Sequence, residues 1–332
     1  MPQLSDWAAG LGLRVPIACA PMGGVAGGGL AAAVSAAGAL GMIGMGSAGS
    51  AAVLRRELEA FRAAGGGEAP WGIGMVDWGI HRDPEMLEVA LDARPSVIAV
   101  SFGEWGVDPH PAWIGAAHAA GALAVTQVAT ADEARRAAAA GIDAVVARGR
   151  EAGGHGEHVR PRRDLLAEVL DAVAETGATP VPVLAAGAIH SAADVAEALG
   201  MGASGAWVGT AFSACTEALT SDAARRVLFA ARGEDTLVTR VYDVVLGRPW
   251  PERLPERLVP TPFIERWQGR EDELARDEAA RAEFRAAVAA DDYSVVPVDA
   301  GEGVTALEEE RTAAEVVQEL AEGLRAGPTT GA

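Results

Sequence analysis

The run Ala147-Arg148-Gly149-Arg150-Glu151-Ala152-Gly153-Gly154-His155-Gly156 holds the side chain best suited to chemistry, His155. An imidazole with an ordinary pKa near ~6.5 takes or gives a proton around neutrality. The paired glycines before it predict exposed, irregular backbone, and the competing reading is a plain solvent-facing loop histidine. A second segment, Ala20-Pro21-Met22-Gly23-Gly24, is followed by Gly27-Gly28-Gly29. Glycine lets backbone approach a flat ligand closely, although a tight loop between strand and helix asks for the same residues. The third is Leu184-Ala185-Ala186-Gly187-Ala188-Ile189 with Val208-Gly209-Thr210-Ala211-Phe212. Loop N–H groups and a short helix start there would suit a phosphate, with Thr210 adding a hydroxyl. The alternative is merely a glycine-lined rim. His81, His110, His118 and His190 show no metal-ligand spacing, so no zinc or iron site is expected. His158 falls in a charged run, residues 157–163, that reads as solvated rim.

Composition narrows what such segments can bind. The chain has 332 residues and a formal net charge of −19, and every one of its 27 basic residues is arginine. A field of that sign repels nucleic acid and anionic membranes, so a bound phosphate must be held by local geometry. Half the residues are hydrophobic and mean hydropathy is +0.15, enough for a substantial core. Cys19 and Cys215 give no disulfide framework, which points to a reducing, cytoplasmic setting. The opening Met1-Pro2-Gln3-Leu4-Ser5-Asp6 has no basic start leading into an apolar stretch, so no secretory leader is expected. Between Arg14 and Arg55 no residue carries a formal charge, but Pro16, Pro21 and many glycines break that stretch into pieces too short for a membrane span.

The elements that must position these segments follow a rhythm. Apolar runs at residues 17–22, 40–44, 72–76, 97–101, 123–128, 144–147, 183–186 and 206–208 lack polar alternation, as strands buried on both faces do. Helical stretches begin near Gly29, Ser50, Pro84, Pro111, Ala131, Arg163, Ala192 and Asp222. Thr130 with Glu133, and more weakly Ser191 with Asp194, read as helix starts. Eight such units predict an α/β fold, a (β/α)8 TIM barrel with a smaller C-terminal, mainly helical domain or lid; a doubly wound open sheet is the structural rival. The expected division is a barrel over residues 1–235, a smaller substrate-side domain over 236–300, and a helix within 301–332 returning to the barrel. Residues 248–262, with five prolines, read as extended chain on a surface. Residues 271–290 read as one charged helix and 313–324 as an amphipathic one. Trp105, Trp113, Trp250 and Trp267 are candidates for a substrate pocket, though each can equally be structural.

Together the three segments resemble the nitronate monooxygenase family of FMN-dependent barrels. The resemblance spans Pro16 to about Glu217, with echoes in Thr239-Arg240-Val241, Gly247-Arg248-Pro249 and Ala300-Gly301-Glu302-Gly303, and Glu151-Ala152-Gly153-Gly154-His155-Gly156 is its most specific part. It implies that Pro21, Met22 and Gly23 line the isoalloxazine. It implies that Gly153, Gly187, Ala188, Gly209 and Thr210 hold FMN, the last four around its phosphate. Gly74, Gln127, Arg148, Gly154 and Val208 complete the implied cofactor-binding set. His155 would stand beside flavin N5, as the base for a neutral nitroalkane or as the group orienting a nitronate. The implied reaction is oxidation of alkyl nitronates by O2, with a small molecule and O2 as partners and a homodimer as a possible assembly. Three positions depart from the family pattern: Gly74 for Asn, Arg148 for Gln, Ala188 for Gly, in a chain without any asparagine. Arg148, if it reached the flavin pyrimidine edge, would favour an anionic reduced flavin. The resemblance leaves open an NAD(P)H-dependent flavin reductase acting on quinones or enoyl thioesters, and a non-catalytic flavin-binding protein. A flavin-free aldolase is disfavoured because no lysine exists to form a Schiff base.

Overall fold

The structure, a computed structural model, describes residues 5–176 and 181–325. Met1-Pro2-Gln3-Leu4 of the opening, and residues 326–332 of the expected closing segment, lie outside the described residues. The strands in chain order are β1 (Ile17–Cys19), β2 (Gly41–Met45), β3 (Trp71–Val76), β4 (Val97–Ser101), β5 (Leu123–Val128), β6 (Ala144–Arg148), β7 (Gly154–His155), β8 (Val183–Ala186), β9 (Gly205–Val208), β10 (Leu237–Thr239) and β11 (Glu256–Leu258). Eight of them form one parallel sheet in the order β1-β9-β8-β6-β5-β4-β3-β2. A parallel bridge between Ala18 and Leu40 joins its two edges, closing a (β/α)8 TIM barrel.

Alternation along these strands sorts the core into two layers, because successive side chains point to opposite faces. Ala18, Met42, Val97, Ala99, Val125, Ala144, Val146, Leu184, Ala186 and Trp207 fill the barrel interior. Their neighbours Ile17, Ile43, Ile73, Ile98, Val145, Val183 and Ala206 face the surrounding helices. The bulk of Trp207, 3% exposed, fills space left by the alanines around it. The inward row ends toward the C-terminal mouth in Gly74, Gln127 and Arg148, three of the positions that the family resemblance implied.

Several boundaries differ from expectation. β1 ends at Cys19, not residue 22, because the chain turns at once: Met22 N–H donates to the Ala20 carbonyl at 2.9 Å. The 271–290 stretch splits into Glu271–Leu274 and Glu278–Ala290, where the Asp277 carboxylate accepts from Ala280 N–H at 2.8 Å and starts a new helix. Residues 248–262 are not simply extended; they contain β11, and Thr261 caps the helix Pro262–Trp267. Ser191, read as the weaker helix start, forms the complete reciprocal cap with Asp194, whereas Glu133 accepts from Ala129 N–H rather than from its own cap residue. Three short helices were not foreseen: Asp6–Leu11, Asp77–Arg82 and Val241–Leu246. At six residues each they are under two turns and depend on packing for stability, so they leave little periodicity to read.

Beyond β9 the chain builds a second, three-stranded antiparallel sheet, β10-β11-β7. It packs with a cluster that includes Val241, Tyr242, Leu258, Phe263, Trp267 and Phe284. The helix Ala313–Arg325 then lies against the helices Ala192–Gly200 and Gly28–Ala36. Among the described residues, no helix is long and apolar enough to cross a membrane.

Candidate active site

A cavity of about 340 Å³ opens at the C-terminal ends of the barrel strands. Its wall includes Pro21, Met22 and Gly23 after β1, Gly74 on β3 and Gln127 on β5. Arg148, Gly153, Gly154 and His155 come from β6 and the loop beyond it, and Gly187, Ala188, Val208, Gly209 and Thr210 from the ends of β8 and β9. His155 and every residue of the implied cofactor-binding set therefore line one space. Two glycines bring the first segment into place. A Cβ on Gly74 would lie 2.1 Å from Pro21 Cγ, and one on Gly23 would lie 2.5 Å from Gly46 Cα. The side chain missing at Gly74 is thus the space the Pro21 ring occupies, and an asparagine there would push that turn away from β3.

The loop after β6 is stapled from beneath. Arg148 is 6% exposed, and its Nη2 donates to the carbonyls of Gly153 at 2.8 Å and Gly154 at 3.0 Å. Its Nη1 is buried with no partner among the described residues, close under Gly156. Burial, then the neighbouring Arg257, brings the guanidinium pKa down to about 10. Arg148 thus lines the cavity while one end of its fork is spent on loop carbonyls and the other faces Gly156. His158, expected on a solvated rim, is half-buried with Nδ1 3.0 Å from the Arg150 carbonyl and Nε2 3.1 Å from the Gly154 carbonyl. Burial, then Arg148, lowers its pKa to about 4. From that same run, Arg162 is buried and paired with Glu197 at 2.9 Å. From above, a Cβ on Gly153 would meet Gly301 N at 2.5 Å, so the 300–303 stretch lies backbone on backbone over this loop.

His155 is not on irregular loop. It forms β7, pairing with Glu256 in β11, a partner about a hundred residues downstream that local sequence cannot reveal. Its Nε2 lies 2.9 Å from Asp243 Oδ1 and 4.0 Å from Glu256 Oε2. The ring stacks on Trp250, with centroids 3.8 Å apart and planes 10° apart. Trp250 is in turn held edge-on by Trp78 and Phe102. Phe102 has φ +73°, a conformation bulky residues rarely adopt. Asp243 and Glu256 are 4% and 5% exposed, and Asp243 Oδ2 and Glu256 Oε1 lack partners among the described residues. Burial, and then Asp299 and Asp243, push the Glu256 carboxyl well above the usual carboxylate range. Asp299 lines the cavity as well, with an exposed side chain. Ligand atoms of His155, Asp243 and Glu256 lie within 4.8 Å of one another, a metal-capable grouping that chain spacing did not show.

At the opposite side, the N–H groups of Gly187, Ala188, Gly209 and Thr210 make no hydrogen bond to another described residue, and all four residues line the cavity. Free backbone donors converging on a hollow suit an anion in a protein without lysine. The Thr210 hydroxyl already accepts from Gly301 N–H at 3.0 Å, which leaves it a proton to donate. His190 lines the same end, its Nδ1 donating to the Ala188 carbonyl at 3.0 Å. Sequence reading set His190 aside for lack of metal-ligand spacing and passed over Asp243, Glu256 and Asp299, because nothing local marks them. Of the four tryptophans considered, Trp250 reaches the cavity, Trp105 and Trp113 line a separate one of about 260 Å³, and Trp267 is buried in the C-terminal cluster.

Comparison with known proteins places this arrangement. The sequence profile of the family described as Nitronate monooxygenase matches residues 8–323. The chain is 32% identical to the nitronate monooxygenase of Pseudomonas aeruginosa, covering 95% of this chain and 97% of that one. It is also 32% identical to a Mycobacterium tuberculosis protein named (3aS,4S,5R,7aS)-5-hydroxy-7a-methyl-1-oxo-octahydro-1H-indene-4-carboxyl-CoA dehydrogenase, over 77% of this chain and 66% of that one. The chain spans about half the length of some relatives it matches, such as 45% of the nitronate monooxygenase of Paraburkholderia phytofirmans, which is 36% identical over 50% of this chain. Among solved structures, FabK from Thermotoga maritima superposes with a TM-score of 0.79 at 25% identity, covering 97% of this chain and 96% of that one. The nitroalkane oxidase of Streptomyces ansochromogenes superposes with a TM-score of 0.77 at 28% identity, covering 96% and 98%. With His155 and the glycine segments gathered at one barrel mouth, these matches identify the chain as a member of the nitronate monooxygenase family, a family of flavin-dependent oxidoreductases.

Proposed function

We propose that this enzyme binds FMN in the barrel-mouth cavity and oxidises alkyl nitronates with O2, with His155 as base or substrate orienter. The observation that carries this reading is the position of His155, at hydrogen-bond distance from buried Asp243, in the same cavity as four unpartnered backbone N–H groups. The residues fit the cofactor. Pro21, Met22 and Gly23 offer a backbone surface pressed onto the strands, against which a flat ring can lie. Gly187, Ala188, Gly209 and Thr210 offer N–H donors suited to a phosphate, with Gly153, Gly154, Gln127 and Val208 lining the space between. When bound, FMN supplies the electron acceptor for the substrate and the site of reaction with O2. The protein's share is to orient the substrate, take its proton where one must be removed, and keep bulk water out behind Trp250 and the 300–303 stretch.

The likeness to the mycobacterial CoA-thioester dehydrogenase supports a second reading, an NAD(P)H-dependent flavin reductase acting on enoyl thioesters or quinones. Anaerobic titration of the FMN-loaded protein separates the two. Bleaching of the flavin band by a nitronate, without pyridine nucleotide, is the expected result. Bleaching by NADH or NADPH alone would replace the first reading with the second, and a colourless protein that takes up no FMN would overturn both.

A further inference from the structure

The contacts of His155 say which of its nitrogens can work. Nε2 faces Asp243 Oδ1 at 2.9 Å, whereas Nδ1 has no hydrogen-bond partner among the described residues. A neutral imidazole carries one proton, and a carboxylate can only accept. The Asp243 contact therefore settles the proton on Nε2 and leaves the Nδ1 lone pair free. Asp243 comes from Val241–Leu246, a helix of the added C-terminal region, not from the barrel. It is 4% exposed, and its second oxygen has no partner, so its interaction with the ring is the main outlet for that carboxylate. Glu256 cannot replace it: at 4.0 Å it is beyond hydrogen-bond reach. Trp250, stacked at 3.8 Å, fixes the plane of the ring so that Nδ1 keeps one direction.

We infer that Asp243 is the positioning residue for His155, and that His155 Nδ1, not Nε2, is the base that takes the proton from a neutral nitroalkane. This inference rests on the function proposed above. In the step, the substrate Cα–H bond breaks, the proton bonds to Nδ1, and the electron pair moves onto the nitro oxygens to leave the nitronate. The imidazolium so formed lies between the Asp243 carboxylate and the face of Trp250, both of which favour its charge. A nitronate supplied ready-made needs no such step.

The test uses the FMN-loaded enzyme with matched nitroethane and ethyl nitronate. Asp243→Asn keeps the volume but can present an amide N–H to Nε2, which turns the proton onto Nδ1 and occupies the base. The expected result is a fall in kcat/KM for nitroethane on the order of 10²–10⁴-fold, the scale that loss of tautomer control carries in other histidine bases, with less than about fivefold loss on the nitronate. The isotope effect from deuterium at the substrate Cα should rise in the variant, and Asp243→Glu should restore part of the nitroethane rate. Equal losses on both substrates, or no rescue by glutamate, would reduce Asp243 to a structural part. A wild-type enzyme that turns over the nitronate but not nitroethane would overturn this inference while leaving the proposed function intact; failure on both substrates would overturn that function.

Discussion

Ala188 shows how a single residue carries the imprint of a site. Its φ of +47° lies in the left-handed region, directly after Gly187 at φ +118°. That region strains an L residue by roughly 1–2 kcal/mol, whereas glycine enters it freely. The alanine at this position therefore follows a backbone path that glycine enters freely, and it carries strain there. Ala188→Gly should raise unfolding free energy by about 0.5–1 kcal/mol, after the greater freedom of glycine in the unfolded chain offsets part of the relief. Urea denaturation checks it, and a loss of 1 kcal/mol or more would show that the methyl group is needed for packing. Gly74 is the reverse case: the space a side chain would take is filled by the Pro21 ring.

Among the elements, the loop between β6 and the helix Arg162–Ala174 is held by side chains that read as surface. His158 spans the carbonyls of Arg150 and Gly154, and burial beside Arg148 lowers its pKa to about 4. The unfolded chain, with an ordinary value near ~6.5, binds this proton at higher pH than the folded one does. Stability is accordingly full above about pH 6.5 and declines as pH falls toward 4. The contribution should be on the order of 1–2 kcal/mol once partial exposure is discounted. Urea midpoints compared between pH 7 and 4.5 should drop less in His158→Gln than in wild type; identical drops would rule the histidine out as a cause. The fold at this scale was readable where periodicity is strong, as in the barrel strands and the caps at Thr130 and Ser191. It was not readable where two residues become a strand only because a distant segment pairs with them, as at His155.

For the whole molecule, the proposed FMN phosphate has to be held in a chain of net charge −19 without lysine. The groups proposed to do so are the N–H groups at the ends of β8 and β9, unpartnered among the described residues, with His190 lining the same end of the cavity. Binding to the folded state alone stabilises it by about 2.7 kcal/mol at a hundredfold excess over Kd. FMN should thus raise the melting temperature more than riboflavin, which lacks the phosphate, and His190→Gln should narrow that gap. Thermal melts with each flavin decide the matter, and equal shifts in the wild type would remove the phosphate role from this end.

By itself the sequence determined the strand–helix rhythm of the barrel and the three segments at its mouth, because those follow from local pattern: apolar runs, helix caps, and glycines where backbone must come close. It carried the identity of His155 but not its surroundings. Only the tertiary structure decided that Asp243, Glu256 and Trp250 converge on that ring, that Arg148 turns under its own loop, and that His155 belongs to a strand. The contacts to His155 join residues about ninety to a hundred positions apart, around a sheet assembled from three separate segments. No periodicity records such pairing, since it exists only once the chain has closed over the barrel.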